Sequence, residues 1–236
     1  PSAQKNIYIE SVEAKGKLIF STKDRLLYNE KTDSKIDNFF IPNNIPALSS
    51  LDSDEFITIN LLKDFFSRIV YISGTKFREI ILTPELDIPN PEGTNIASVL
   101  ENWSIKYPDR YKDVENEFRD AFKFIDKLFF TQETFVNGIQ HKLLTVNEKG
   151  VQLPLNQTKW SDGVYRTLHL LMSPHIPFDL TGKIVCPSLI LIDEIENGLD
   201  FKTLKYIINY LKDYSDDSQI IFSSHSPLVC EFVHPN

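Results

Sequence analysis

Leu189-Ile190-Leu191-Ile192-Asp193-Glu194 runs four aliphatic residues directly into two carboxylates. Such an apolar run needs both faces covered, which predicts a strand over 188–193 in the middle of a parallel sheet. The acids then emerge at the strand's carboxyl end, where open α/β sheets bind their ligands. An uncompensated carboxylate there is costly, so a cation or a water network must accompany it. A magnesium ion bridging phosphate oxygens meets that need: Asp193 would hold it, through water, and Glu194 would orient or deprotonate an attacking water. Two acids that merely cap a strand end are the plainer alternative.

Downstream, a helix is expected from Phe201 to about Tyr214, and then a second buried strand over 219–223. That strand ends in Ser223-Ser224-His225-Ser226-Pro227. The order strand, helix, strand indicates a parallel α/β sheet. A right-handed crossover brings His225 to the same sheet edge as Asp193 and Glu194. An imidazole at that edge can donate a hydrogen bond to a terminal phosphate.

Upstream, Trp160-Ser161-Asp162-Gly163 precedes a helix expected over 162–172, with Arg166 on its run. Ser161 is placed as the N-cap, with free N–H groups and the positive end of the helix dipole behind it. Gly163 has no side chain to obstruct an anion, and a helix start of this kind is a phosphate site. On its own, Ser-Asp-Gly before a helix is also a good cap and nothing more.

Taken in order, the three elements resemble the second half of an ABC-type nucleotide-binding domain of the RecF/SMC-like group. More narrowly they resemble AAA-type ATPases with the pattern LSDGT…LLLIDEPENGLHP…THSP. The resemblance is strong after about Leu155 and weak before about Glu92. Glu92-Gly93-Thr94-Asn95-Ile96-Ala97 is similar to that group's DGSNLA element. It implies that 160–163 is the signature motif, that Asp193 and Glu194 are the Walker B pair, and that Asn197-Gly198-Leu199-Asp200 is the D-loop. His225 becomes the switch histidine. The implied fold is α/β: part of a P-loop NTPase (ABC-type) parallel sheet with a helical insertion and a small antiparallel β meander. The implied activity is ATP hydrolysis with Mg2+ in a head-to-tail homodimer. Ser161 and Gly163 would then act on the partner's nucleotide, Glu194 and His225 on the chain's own, and Asp200 would lie at the seam. DNA repair, DNA maintenance or phage defence follows by analogy only. Trp160 replaces the usual Leu, Ile195 stands where the group often has Pro, and Asp200 where it often has His.

A phosphate loop requires Gly, four residues, then Gly-Lys-Ser/Thr. The two Gly-Lys pairs, Gly16-Lys17 and Gly182-Lys183, are followed by Leu18 and Ile184, and positions 11 and 177 are Ser and Pro. No Walker A motif is present, and the chain alone is expected to be inactive. Pro1-Ser2-Ala3-Gln4-Lys5 has neither an initiator Met nor a signal-peptide core. The expectation is a segment of a longer protein, with roughly eighty preceding residues carrying the phosphate loop. That loop's strand is expected beside the Walker B strand, so its loss would strip the centre of the sheet.

The rest of the chain reads as 1–33, an antiparallel β segment; 34–130, a mainly helical insertion; and 131–236, the lobe with the motifs. Short runs at Ile7-Tyr8-Ile9 and Lys17-Leu18-Ile19-Phe20 flank Gly16 as strands around a turn. An irregular connection over 34–53 leads to a helix over 56–69, and Pro84, Pro89 and Pro91 mark a second loop. Beside Ser73-Gly74-Thr75, Lys76 and Arg78 form either a small phosphate contact or a solvated turn. Thr94 is a candidate N-cap for a helix over 95–103. Tyr111, Val114, Phe118, Phe122, Ile125 and Phe129 form an apolar stripe predicting one helix over 110–128. Strands near 133–136, 142–146 and 151–155, punctuated by Asn137-Gly138 and Lys149-Gly150, make the meander.

The net charge of −8 argues against a broad nucleic-acid-binding face. Cys186 and Cys230 lack metal-ligand spacing and read as buried, reduced thiols of a cytoplasmic protein. No apolar run is long enough to span a membrane. Two further functions fit the motifs: a dimerisation module that turns over no nucleotide, and a metal-dependent nuclease built on Asp193, Glu194 and Glu196.

Overall fold

The computed structural model describes residues 10–36, 46–51, 54–74, 86–134, 140–180 and 182–233. The runs at Ile7-Tyr8-Ile9, Lys76 with Arg78, Pro84 and Asn137-Gly138 lie outside the described residues. The chain divides into two units, Pro1–Ser67 and Arg68–Asn236.

The first unit is an antiparallel sheet in the order β1 (Ser11–Ala14), β2 (Lys17–Ser21), β3 (Leu26–Asn29), β4 (Ser34–Ile36). Gly16 has φ +73, the left-handed backbone that the β1–β2 turn requires. Two helices follow, α1 (Ala47–Ser50) and α2 (Ile57–Ser67). Phe20, Leu27, Leu51, Phe56 and Ile59 form this unit's core. Glu30 starts α2 by accepting from both Thr58 N (2.7 Å) and Thr58 Oγ1 (2.6 Å).

The second unit opens with β5 (Ile69–Ile72), a strand where the sequence pattern suggested the end of a helix. Then come α3 (Ile96–Lys106) and α4 (Pro108–Ala121). Asn95, rather than Thr94, occupies the α3 cap position, and no side chain caps that helix. Both residues are taken up by Asn90: its N–H donates to Asn95 Oδ1 and its amide to Thr94 Oγ1.

The single long helix expected over 110–128 is not present. α4 stops at Ala121, and β6 (Ile125–Thr134) pairs antiparallel with β7 (Gln140–Glu148), which pairs with β8 (Leu155–Asn156). Ile125 and Phe129, spaced as one helical step, both lie on β6 instead, and the strand's register shifts between Ile125 and Lys127. Residues 151–154, expected as the third strand, are not extended in the sheet.

The chain continues through α5 (Asp162–Met172), a hairpin of β9 (Phe178–Leu180) and β10 (Lys183–Val185), and then β11 (Leu189–Ile192). It ends with α6 (Phe201–Asp213), β12 (Gln219–Phe222) and α7 (Pro227–Phe232). β11 pairs in parallel with β12 on one side and β5 on the other, so the strand order is β12-β11-β5. Both edges of β11 are therefore occupied. A further strand can join this sheet only outside β12 or β5, which corrects the expectation of a phosphate-loop strand beside β11.

One face of the sheet, with Val70, Ile72, Ile190 and Ile192, is buried in a core shared with Trp103, Phe118, Leu168 and Ile207. The other face carries Tyr71 and Ile221, exposed at 47% and 50%, in register with Leu191 between them. Burial on both faces, expected from the unbroken aliphatic run, is thus incomplete. Neither cysteine is buried: Cys186 is half-buried, Cys230 is exposed on α7, and both are free. Among the described residues no helix is long and apolar enough to cross a membrane.

Candidate functional site

β5, β11 and β12 are parallel, so their carboxyl ends lie side by side, and the chemistry-bearing residues follow directly from those ends. Asp193 and Glu194 leave β11, Ser223 to His225 leave β12, and Ser73-Gly74 leave β5. Asp193 N–H still donates to Ile72 O (2.9 Å), continuing the ladder for one more residue.

At Glu194 the backbone turns sharply. Its φ of +47 lies in the left-handed region, uncommon for a residue with a long side chain. Strain of this kind persists only where neighbours enforce it. Here the Glu194 N–H donates to Ser223 Oγ (2.8 Å), and Ser223 Oγ donates to Asp193 Oδ1 (2.7 Å). On the following side, Ile195 N–H donates to Ser223 O (3.1 Å) and Asn197 N–H to Glu194 O (2.9 Å). Ser223 therefore ties the two acids together from the neighbouring strand. The His225 ring lies 3.9 Å from Glu194, Nε2 to Oε1, with its side chain 86% exposed.

Gly74 is buried against this pair. A Cβ there would lie 3.1 Å from both Asp193 O and Glu194 Cβ. Asn197 Nδ2 donates to Gly74 O, clamping the end of β5 to the turn after β11. Arg166, buried on α5, completes the clamp: Nη1 donates to Ser73 O and Nη2 to Asp193 O (2.9 Å). Burial lowers the guanidinium to about 10, against the pull of Asp193 and Glu194, so it remains a cation at neutral pH.

The α5 start has the expected cap. Ser161 is extended (φ −71, ψ 155), exposed, and accepts from Val164 N (3.4 Å). Trp160 packs half-buried beneath it, stacked on Phe118 at 5.9 Å, with Nε1 donating to Leu155 O (3.0 Å). Gly163 is small for a reason that sequence did not reveal. A Cβ at 163 would overlap the carbonyl oxygen of Gly198, itself at φ +77. The helix start and the turn after β11 thus touch backbone to backbone.

Asp200 caps α6. It accepts from Lys202 N (2.9 Å), Thr203 N (3.2 Å) and Thr203 Oγ1 (2.7 Å). The Thr203 hydroxyl, with these N–H groups, holds the carboxyl below the ordinary Asp range despite partial burial. Glu196, the third acid of the nuclease alternative, accepts from His225 N (2.7 Å) instead of joining the other two. Asp193, Glu194 and His225 therefore meet at one sheet edge, while Ser161, Gly163 and Asp200 belong to two helix starts linked through Gly198. Ser223, Asn197, Gly74 and Arg166 carry much of this geometry; all four stand in stretches the sequence singled out, but nothing in the sequence signalled that they clamp the strand ends together.

A family model described as "AAA domain, putative AbiEii toxin, Type IV TA system" matches residues 13–231. The chain belongs to this AAA-domain family. Its parallel sheet, helices and antiparallel meander make a mixed α/β lobe. Among solved structures, it is similar to one from work on ATP-driven dimerisation and DNA-stimulated activation of SMC ATPases. That match has 13% identity and a TM-score of 0.42, covering 57% of this chain and 78% of that one. It is also similar to an SMC head bound to the C-winged helix domain of ScpA, at 13% identity and a TM-score of 0.42. There it covers 56% of this chain and 39% of the other. No curated protein matches the chain.

Proposed function

We propose that this AAA-family chain carries the hydrolytic half of an ATPase that closes head-to-tail around ATP. The observation that carries the reading is the meeting of three groups at one edge: the Asp193 carboxylate, the Glu194 carboxylate and the His225 ring.

Asp193 suits a hydrated divalent ion, since it is exposed and one of its oxygens is already oriented by the Ser223 hydroxyl. Bound there, Mg2+ would neutralise phosphate charge. Glu194 is held in a fixed turn with its side chain partly open, as a group that orients a water must be. His225 presents an exposed ring beside it, able to donate to a terminal phosphate oxygen. In a second copy, Ser161 and the first turn of α5 would meet that phosphate with free N–H groups. Gly163 sets the spacing between α5 and the Gly198 turn, and Asp200 sits beside it at the seam.

The 236 residues hold no Gly-x4-Gly-Lys-Ser/Thr, so in this reading a separate segment supplies the phosphate loop. Its strand would add along the outer edge of β12, the end strand of the described sheet. Glu196 is committed to the His225 loop, which favours ATP hydrolysis over the nuclease alternative. DNA repair, DNA maintenance and phage defence remain the contexts suggested by family resemblance, in the cytoplasm.

The test is to combine this chain with a segment carrying Gly-x4-Gly-Lys-Ser/Thr from the same protein and to assay phosphate release. Turnover that requires both parts and Mg2+, and that Glu194→Gln abolishes while trapping an ATP-bound dimer, supports the reading. A folded complex that binds ATP with no turnover above background leaves the dimerisation module in its place. Cleavage of DNA with metal and without ATP restores the nuclease.

A further inference from the structure

The His225 loop is anchored at its start by Ser223, which bonds to both Asp193 and Glu194. It spans 223–226 between β12 and α7, and its histidine ring makes only the 3.9 Å approach to Glu194. A ring meant to sit beside one carboxylate needs its backbone fixed, because an exposed side chain samples several rotamers. We propose that Glu196 is a positioning residue that pins this loop and links it to the turn containing Gly198 and Asp200. This rests on the reading of His225 as the donor to the terminal phosphate.

Three observations carry it. Glu196 Oε1 accepts the His225 N–H at 2.7 Å, a charge-assisted bond to the one amide that sets the direction of the histidine. The Glu196 carbonyl accepts Leu199 N–H at 3.0 Å, so the same residue belongs to the turn between β11 and α6. Two further ties point the same way: Ser226 N–H folds back on Ser224 Oγ (3.0 Å), and Ser223 O holds Ile195 N–H (3.1 Å). Burial works to raise the Glu196 carboxyl, but hydrogen bonding around it outweighs burial and holds it below its usual range. An ionised carboxylate is purely an acceptor, which suits Oε1 to the His225 N–H, while the buried Oε2 has no partner among the described residues. A displacement of the turn at Gly198, where the start of α5 also rests, would thereby reach His225 through one side chain.

The experiment compares hydrogen exchange at the His225 and Ser226 amides in the unsubstituted chain, in Glu196→Ala and in Glu196→Gln. Exchange at both amides should quicken about tenfold in Glu196→Ala, as expected for one lost charge-assisted bond, with β11 and α6 amides unchanged. Glu196→Gln should fall between, because its amide keeps one acceptor, and it carries the same test if the alanine variant does not fold. Unaltered exchange at His225 in a folded variant overturns the pin. In the reconstituted ATPase, Glu196→Gln should lower kcat with KM for ATP unchanged, and should add nothing to His225→Ala. A loosened loop with unchanged kcat would sink the phosphate-donor role of His225 while leaving the pin intact.

Discussion

A Cβ at Gly163 would overlap the Gly198 carbonyl, so glycine is required there by packing before any ligand arrives. Gly163→Ala must push the start of α5 away from the turn after β11, at about 1–3 kcal/mol, the usual range for overpacking. Urea unfolding measures this without nucleotide; an unchanged midpoint would mean that the contact is soft. Ser223→Ala makes a different kind of change. It removes the acceptor for Glu194 N–H and the donor to Asp193 while leaving both acids in place. The site is exposed at Ser223, so stability should fall by about 0.5–1.5 kcal/mol, as for one net hydrogen bond. Turnover in the reconstituted ATPase should fall much further, because Glu194 then loses what holds it at φ +47. Equal effects on stability and turnover would show that Ser223 is only structural.

At the scale of elements, the sequence was legible wherever one period dominated and local chemistry agreed with it. α5 has its Ser161 cap, α6 has Asp200 as its cap, and β11 and β12 are short aliphatic runs that end in polar residues. All four were readable within a residue or two. β6 was not, because Ile125 and Phe129 are spaced as one helical step, and a register shift leaves no composition signal. β5 was missed because Ile69-Val70-Tyr71-Ile72 follows α2 almost without a break, and only pairing with β11 distinguishes it. The site was half legible for the same reason: the acids and the histidine stand out at strand ends, whereas the clamping roles of Arg166 and Asn197 depend on long-range approach. Trp160 tests an element boundary. It fills the space among Phe118, Tyr165 and the Leu155 carbonyl. Trp160→Leu should cost about 1–2 kcal/mol, through lost ring contact, and leave the Ser161 cap unchanged. Melting with and without the substitution checks this; a loss beyond about 4 kcal/mol, the upper part of the large-to-small range, would mean that the tryptophan nucleates the start of α5.

For the second unit as a whole, two buried histidines set a response to acid that is separate from that of the carboxylates. His169, wholly buried on α5 with the Arg166 charge near it, is lowered to about 3. His175 is lowered to about 4 by burial, with Asp113 opposing and Arg110 assisting, and its Nε2 lies 3.2 Å from Tyr214 Oη. Both are neutral when folded and titrate near 6.5 when unfolded. Below pH 6.5 the unfolded chain therefore takes up protons that the folded one refuses, and stability falls with pH until each folded value is reached. At pH 5 this amounts to about 2 kcal/mol for each histidine. Glu196 and Asp200 act later, because their carboxyls are held below 4.5 and 3.8, and what they contribute is lost only as pH falls through those lower values. Both tryptophans, Trp103 and Trp160, lie in this unit, so fluorescence-detected urea unfolding follows it alone. Between pH 7.5 and 5 the wild-type midpoint should drop steeply. His175→Gln, neutral throughout, should start lower at pH 7.5 and lose about 2 kcal/mol less across that interval. Parallel curves would mean that His175 titrates in the fold as it does unfolded, so that burial does not hold it neutral.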